Sequence, residues 1–205
     1  MKFIIGFKQR MSSTYRTDGR VVPVTIVKVA PCVVTAAKTA ERDGYVAVQL
    51  GAGSRKRLTK PLAGAVGELG TFQIMREFRP KRGQKLPELK RGDKLDVTQF
   101  TAGDVVDIVG ISKGRGFQGV VKRHGFKGSP KTHGHKDQLR MPGSIGATAP
   151  QRVFKGMRMA GRMGGAPTTV KHLEVVEVNA EAGELVIKGA IPGAPRSLVL
   201  IQSRA

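Results

Sequence analysis

The chain has 205 residues, enough for one good-sized domain or two small ones, and it carries 36 Lys and Arg against 15 Asp and Glu. A formal net charge of +21 indicates a polyanionic partner, either nucleic acid or an anionic membrane surface. Membrane helices need about 18 continuous apolar residues, and no run approaches that length. The single cysteine, Cys32, excludes an intrachain disulfide and fits a reducing, cytosolic setting.

Short segments that are rich in β-branched residues or that alternate in polarity predict strands along most of the chain. They cover residues 22–29, 45–50, 72–78, 94–100, 104–112, 173–179, 184–190 and 197–202. One helix is predicted over 59–70, where Thr59 caps it, Pro61 suits its first turn and Gly70 ends it. Many short strands at this spacing indicate a small barrel or sandwich.

Residues 112–165 break this pattern. They hold 12 glycines and 12 Lys or Arg with one acidic residue, Asp137, which gives a net charge of +11 in 54 residues. A run without helical or strand periodicity is uncommon at this length inside a domain unless it is functional or ordered by a partner. We therefore interpret it as an excursion from a β domain that resumes at His172.

Within the excursion, Gly114, Gly116 and Gly119 fit the G-x-G-x-x-G form of a dinucleotide-binding loop. That motif has to follow a strand and open a helix. Gly125, Gly128 and Pro130 are expected to interrupt any such helix. We therefore expect no cofactor here, although a cofactor-dependent enzyme remains one alternative to be tested.

The same glycines suit contact with RNA. Glycine permits positive φ and close approach of the backbone, so main-chain N–H groups can meet phosphates. Interleaved Lys and Arg side chains neutralise the phosphate charge, and arginines also stack on exposed bases. Apolar residues spaced through the segment, such as Phe117 and Phe154, argue against a merely solvated basic tail.

A metal or nuclease site built on His124, His133, His135 and Asp137 is the other alternative. Two-metal phosphoryl chemistry needs several anionic ligands, and this segment offers one carboxylate among dense positive charge. We therefore expect neither a metal nor a catalytic role for these histidines.

A long motif in this region resembles a known family. Residues 104–135 are DVVDIVGISKGRGFQGVVKRHGFKGSPKTHGH, followed by RMPGSIG and RVFKGMRMAGRMGG. They closely resemble the universal L-three family of large-subunit ribosomal proteins in its bacterial form. The similarity continues into FIIGFKQRMSSTYRTDGRVVPVTIVKV near the N-terminus and VEVNAEAGELVIKGAIPGAPRSLVLI near the C-terminus, so it covers essentially the whole chain.

The resemblance implies a mainly β fold. It predicts a small β-barrel of the translation-protein type with a short helical element and a long irregular, glycine-rich, basic extension. The barrel domain is expected over 1–112 and 166–205, with 51–93 as a small α+β insertion, and residues 113–165 are expected to form an extended loop that penetrates rRNA.

The resemblance also implies a structural, non-enzymatic constituent of the large ribosomal subunit, located in the cytoplasm. It predicts binding to 23S-type rRNA near its 3′ end, a role in early assembly and an extension directed towards the peptidyl-transferase centre. Expected partners are this rRNA and neighbouring ribosomal proteins, of which L-fourteen, L-nineteen and L-thirteen are the candidates. No membrane, small-molecule substrate, cofactor or metal is expected. A free RNA-binding assembly factor with the same fold is the alternative.

Seventeen residues of the excursion are the candidates for rRNA contact, chosen as cations, hydrogen-bonding side chains or glycines. They are Lys113, Arg115, Gly116, Lys122, Arg123, His124, Lys127, Lys131, His133, His135, Lys136, Arg140, Ser144, Arg152, Lys155, Arg158 and Arg162.

Overall fold

The computed structural model describes residues 1–16, 18–80 and 86–203. Within these ranges the chain forms twelve strands, numbered β1–β12 in chain order, and three short α-helices, α1–α3. The prediction of a mainly β protein is confirmed. No helix among the described residues is long and apolar enough to span a membrane. The chain divides into two compact units, a β domain (1–111 and 167–205) and a basic insertion (112–166).

Six strands of the β domain form a closed barrel in the order β1-β12-β7-β10-β11-β2. Every neighbouring pair is antiparallel, and β2 pairs back onto β1 to close the ring. Closure gives each strand two hydrogen-bonded neighbours. The strands are β1 (Phe3–Tyr15), β2 (Val21–Val29), β7 (Val105–Ile111), β10 (Pro167–Asn179), β11 (Glu184–Lys188) and β12 (Leu198–Ser203).

Alternating apolar side chains fill the barrel. Val199 and Ile201 of β12 and Leu185 and Ile187 of β11 are fully buried, each separated by a more exposed residue. This period of two follows from the pleat of a strand, which sends successive side chains to opposite faces. Burial of each such side chain contributes about 1.5–3 kcal/mol to the free energy of folding, because its apolar surface leaves water.

A second sheet packs on the same core in the order β5-β4-β3-β6. The ring of Phe3 in β1 stacks on the ring of Phe78 in β5, with 4.8 Å between centroids, and both residues are buried. This sheet includes residues that precede the α+β insertion expected over 51–93, because the strand that begins at Cys32 pairs with β4. Its strands are β3 (Cys32–Lys38), β4 (Ala47–Ala52), β5 (Ile74–Phe78) and β6 (Lys94–Leu95).

The helices of the β domain are short. α1 spans Ala40–Asp43, and α2 spans Lys60–Val66 and continues as a 3₁₀ turn to Leu69, inside the segment predicted to be helical. The strand predicted over 94–100 is wrong beyond Leu95. There Val97–Gln99 forms a 3₁₀ turn, which buries Val97 and Phe100 at a spacing of three that a strand cannot place on one face.

A polar cluster joins the second sheet to the loop before β4. Lys38 Nζ lies 2.6 Å from the Tyr45 hydroxyl oxygen and 2.8 Å from Glu77 Oε1, and the Tyr45 hydroxyl donates to Glu77 Oε2 at 2.9 Å. The hydrogen bond from Lys38, aided by that from Tyr45, lowers the pKa of the Glu77 carboxyl. The bonds to Glu77 and Tyr45 raise the pKa of Lys38.

Replacing a barrel core residue tests the packing. Ile108 of β7 is fully buried opposite Ile201 of β12, so Ile108→Ala should lower the free energy of unfolding by about 2–5 kcal/mol. The matched control is Val105→Ala on the same strand, where the side chain is 43% exposed. Urea denaturation of both variants measures the difference, and equal losses would contradict the packing described.

Glu77→Gln tests the polar cluster through pH. The folded-state pKa of Glu77 is depressed, so its stabilising contribution is present above the unfolded-state pKa and is lost as the pH falls through the folded-state value. Wild type should therefore exceed the variant in unfolding free energy at pH 7, and the gap should shrink below about pH 4. Urea denaturation at pH 7 and pH 3 measures the gap, and a constant gap would be evidence against the ion pair.

Candidate nucleic-acid interface

The basic insertion begins and ends in an antiparallel stem. Ser112 N donates to Ala166 O at 3.0 Å, and Arg115 N donates to Met163 O at 2.9 Å. Beyond these bonds, β8 (Phe117–Gln118) pairs with β9 (Gly161–Arg162). We use the name stem for residues 112–125 and 159–166, and distal loop for residues 126–158.

The stem contains a helix that the sequence did not predict. α3 spans Val120–His124, begins after Gly119 in extended conformation and ends at Gly125, which has a φ of 73°. The glycines and the proline expected to interrupt a helix lie beyond its last residue, so a single five-residue turn of helix forms. Val120, its first residue, is buried.

The glycine motif does not form one phosphate-binding loop. β8 occupies the two positions between Gly116 and Gly119, and the helix that follows is only five residues long. A dinucleotide-binding loop runs directly from a strand into a long helix of a βαβ unit. Gly116, at a φ of 66°, instead lies within the stem just before β8, and its carbonyl accepts a hydrogen bond from Met163 N at 3.0 Å.

Two candidate residues fasten the helix to the opposite side of the stem. Arg123 Nη1 donates to the carbonyl oxygen of Met159 at 2.6 Å, and His124 Nε2 lies 3.0 Å from the same oxygen. Gly161 allows this approach, since a Cβ there would lie only 2.8 Å from Arg123 Nη1. We call this arrangement the clasp. The acceptor is a main-chain carbonyl, so no side-chain pattern in the sequence could have identified it.

The distal loop is built from local turns. Ser129 N donates to Leu139 O at 3.0 Å, and Ser144 Oγ donates to Gly146 O at 2.8 Å. His133 has a φ of 59°, in the left-handed region that few residues other than glycine adopt, so this histidine supports a turn. Residues 141–160 are all exposed.

Exposed cations cover the insertion. Of its twelve Lys and Arg residues, Arg123 in the clasp is half-buried and the other eleven are exposed, as is the one carboxylate, Asp137. Exposed like charges at this density create a positive potential that only an anionic partner relieves. The eleven are Lys113, Arg115, Lys122, Lys127, Lys131, Lys136, Arg140, Arg152, Lys155, Arg158 and Arg162.

The three histidines of the insertion have different surroundings. His124 is in the clasp, His133 is in a left-handed turn, and His135 is half-buried with its carbonyl accepting from Gln138 N at 3.0 Å. Over residues 1–16, 18–80 and 86–203, no group of three or more His, Cys, Asp or Glu side chains is placed to hold a metal ion.

Large apolar side chains are also exposed on the insertion. The ring of Phe117 is 78% exposed, and the guanidinium of Arg152 lies 5.7 Å from the ring centroid of Phe154, which is 52% exposed. Met141, Ile145, Val153, Met157 and Met159 are exposed as well. The interface therefore combines positive charge with apolar contact area, a combination suited to nucleic acid.

Fold and charge together define a β protein that carries a basic insertion for a polyanionic partner. Residues 90–191 match the family model described as Ribosomal protein L3. The chain is 50% identical to the large ribosomal subunit protein uL3 of Roseiflexus sp. (strain RS-1), over 97% of this chain and 95% of the relative. It is 45% identical to the uL3 of Chlorobaculum parvum over 99% of both chains, and 46% identical to that of Streptococcus pyogenes serotype M1 over 98% and 96%.

The chain therefore belongs to the ribosomal protein L3 family, which confirms the resemblance seen in the sequence. Membership makes it a structural constituent of the large ribosomal subunit, located in the ribosome in the cytoplasm, and not an enzyme. Its partners are accordingly rRNA and other ribosomal proteins.

Arg123→Ala tests the clasp in the free protein. A typical hydrogen bond contributes about 1 kcal/mol, so its loss should make amide exchange at Arg115 and Met163 roughly fivefold faster by easing local opening. Arg158→Ala, which removes an exposed cation of the distal loop, is the charge-matched control and should leave these rates unchanged. Equal exchange rates in the two variants would show that the clasp does not hold the stem.

Proposed function

We propose that the basic insertion is the main rRNA-binding element of the chain and that it binds 23S-type rRNA near its 3′ end. The charge distribution is the main support for this proposal, because eleven exposed cations and one carboxylate lie within 55 consecutive residues. Phosphate neutralisation with release of counterions supplies most of the affinity of such a surface.

The exposed cations of the seventeen candidates act on phosphates in this proposal. Arg123 and His124 act differently, because both side chains already bind the carbonyl of Met159 and so shape the stem. Gly116 shapes the stem through its positive φ and its hydrogen bond to Met163 N. The remaining candidates, Ser144, His133 and His135, lie in local turns that set the path of the distal loop.

The proposed position of the chain within the large subunit rests on the family resemblance. The barrel is of the type shared with translation proteins, and the insertion is the long glycine-rich extension, over 113–165, that runs through rRNA towards the peptidyl-transferase centre. Binding there helps organise the 3′-terminal rRNA early in assembly of the large subunit. L-fourteen, L-nineteen and L-thirteen are the proposed protein neighbours.

Two charge-matched variants test where the rRNA contacts lie. The first replaces four cations of the distal loop with glutamine: Lys127, Lys131, Lys136 and Arg140. The second does the same to four cations of the β domain: Arg55, Lys56, Arg57 and Lys60. Each contact contributes about 0.7–0.9 to the log–log salt slope, so the first variant should flatten the slope by roughly 3.

Filter binding to transcripts of the 3′-terminal and 5′-terminal parts of 23S-type rRNA, at a series of salt concentrations, measures these slopes. Both variants lose the same net charge, so the β-domain variant controls for long-range electrostatics. An equal flattening in both variants would contradict the proposed interface. Equal affinity of the wild type for the two transcripts would contradict the proposed position near the 3′ end.

A further inference from the structure

The two-stranded ribbon of the stem has two different faces. Phe117 of β8 lies directly opposite Arg162 of β9, and Gln118 lies opposite Gly161. Residues paired across an antiparallel ribbon share a face, and successive residues alternate between faces. Phe117 and Arg162 therefore share one face, and Gln118 and Gly161 share the other.

The face of Gln118 and Gly161 is covered by the stem itself. The guanidinium of Arg123 lies against Gly161, and Gln118 Nε2 donates to the carbonyl oxygen of Arg115 at 2.5 Å. Both Gln118 and Gly161 are half-buried. The other face is open, because Phe117 is 78% exposed and Arg162 is exposed.

An exposed phenylalanine ring has no hydrogen-bonding atom, so its partner has to offer a flat or apolar surface. The surrounding charge selects between such partners. Lys113, Arg115 and Arg162 are exposed in the stem, and the insertion contains a single carboxylate, Asp137. A nucleotide supplies both a π-face for the ring and a phosphate for the guanidinium, whereas an apolar protein surface supplies contact for the ring but no anion for the guanidinium.

The backbone that carries Phe117 is held in place before any partner arrives. Backbone hydrogen bonds join Arg115 to Met163 and Ser112 to Ala166 on the domain side of the ribbon, and the clasp holds the helix that follows Phe117. A preorganised platform loses little conformational freedom on binding, which raises affinity. Phe154 differs, since it lies in the exposed distal loop and Arg152 already lies over its ring.

We propose that Phe117 is a platform on which one unpaired base of rRNA stacks, while Arg162 binds an adjoining phosphate. This inference rests on the proposed function and deepens it, because it assigns a base-contacting residue that is not among the seventeen candidates, which are cations, polar side chains and one glycine. The stem then contributes stacking in addition to charge.

Three variants test the platform with deproteinised 23S-type rRNA as the probe. Phe117→Leu keeps apolar volume but removes the ring, and it should weaken binding about 5- to 150-fold without changing the salt slope, since no phosphate contact is lost. Arg162→Gln should flatten the slope by about 0.7–0.9. Phe117→Trp should retain wild-type affinity, because a larger ring stacks at least as well.

The introduced indole also gives a direct signal, because the natural chain contains no tryptophan. Stacking on a base should quench its emission when rRNA is added and protect it from iodide. The inference is overturned if Phe117→Leu binds rRNA within twofold of the wild type, or if the indole stays unquenched in the bound complex. Quenching that needs the assembled subunit and is absent with rRNA alone would also overturn it, in favour of a protein partner.

The outcomes separate this inference from the proposed function. Failure of the wild-type chain to bind rRNA would remove the proposed function as a whole. Tight wild-type binding with an unaffected Phe117→Leu variant would remove only the stacking site. Unfolding midpoints of all three variants should match the wild type, because both Phe117 and Arg162 are exposed.

Discussion

Repulsion between like charges is the constraint on which the rest of the structure depends. Twelve cations and one carboxylate lie in the basic insertion, and eleven of the cations face solvent. Such a segment cannot collapse into an apolar core of its own, because its charged groups stay hydrated and repel one another. It is organised instead by backbone turns, glycines and a short stem, and its charge is left available for phosphate. Because the chain belongs to the ribosomal protein L3 family, its polyanionic partner is rRNA.

The barrel makes it possible to carry this insertion. β7 ends and β10 begins as neighbouring antiparallel strands, with Ile111 paired to Pro167, so the two ends of a long excursion meet at adjacent positions. The six strands of the barrel form a closed ring of hydrogen-bonded neighbours. The buried core that the barrel shares with the second sheet lies wholly in the β domain. The buried core and the densest positive charge therefore lie in different parts of the chain.

The strands with a clear local sequence pattern were predicted correctly. The alternating, β-branched segments 22–29, 104–112 and 197–202 correspond to β2, β7 and β12, and the exposed cations follow from composition. β3 was missed because the second half of its sequence, CVVTAAK, contains two alanines, which have low strand propensity. α3 was missed because five residues are too few for a helical period to appear. The clasp could not be predicted from the sequence, since its acceptor is a main-chain carbonyl that any residue could provide.

We propose that the basic insertion, and not the β domain, makes most of the contacts with rRNA. Ultraviolet cross-linking of the full chain bound to 23S-type rRNA, followed by mass spectrometry of the cross-linked peptides, tests it most directly. Cross-links should concentrate in residues 112–166, with one at Phe117 if a base stacks there. Cross-links concentrated in residues 1–111 and 167–205 would contradict it and would assign the binding surface to the β domain.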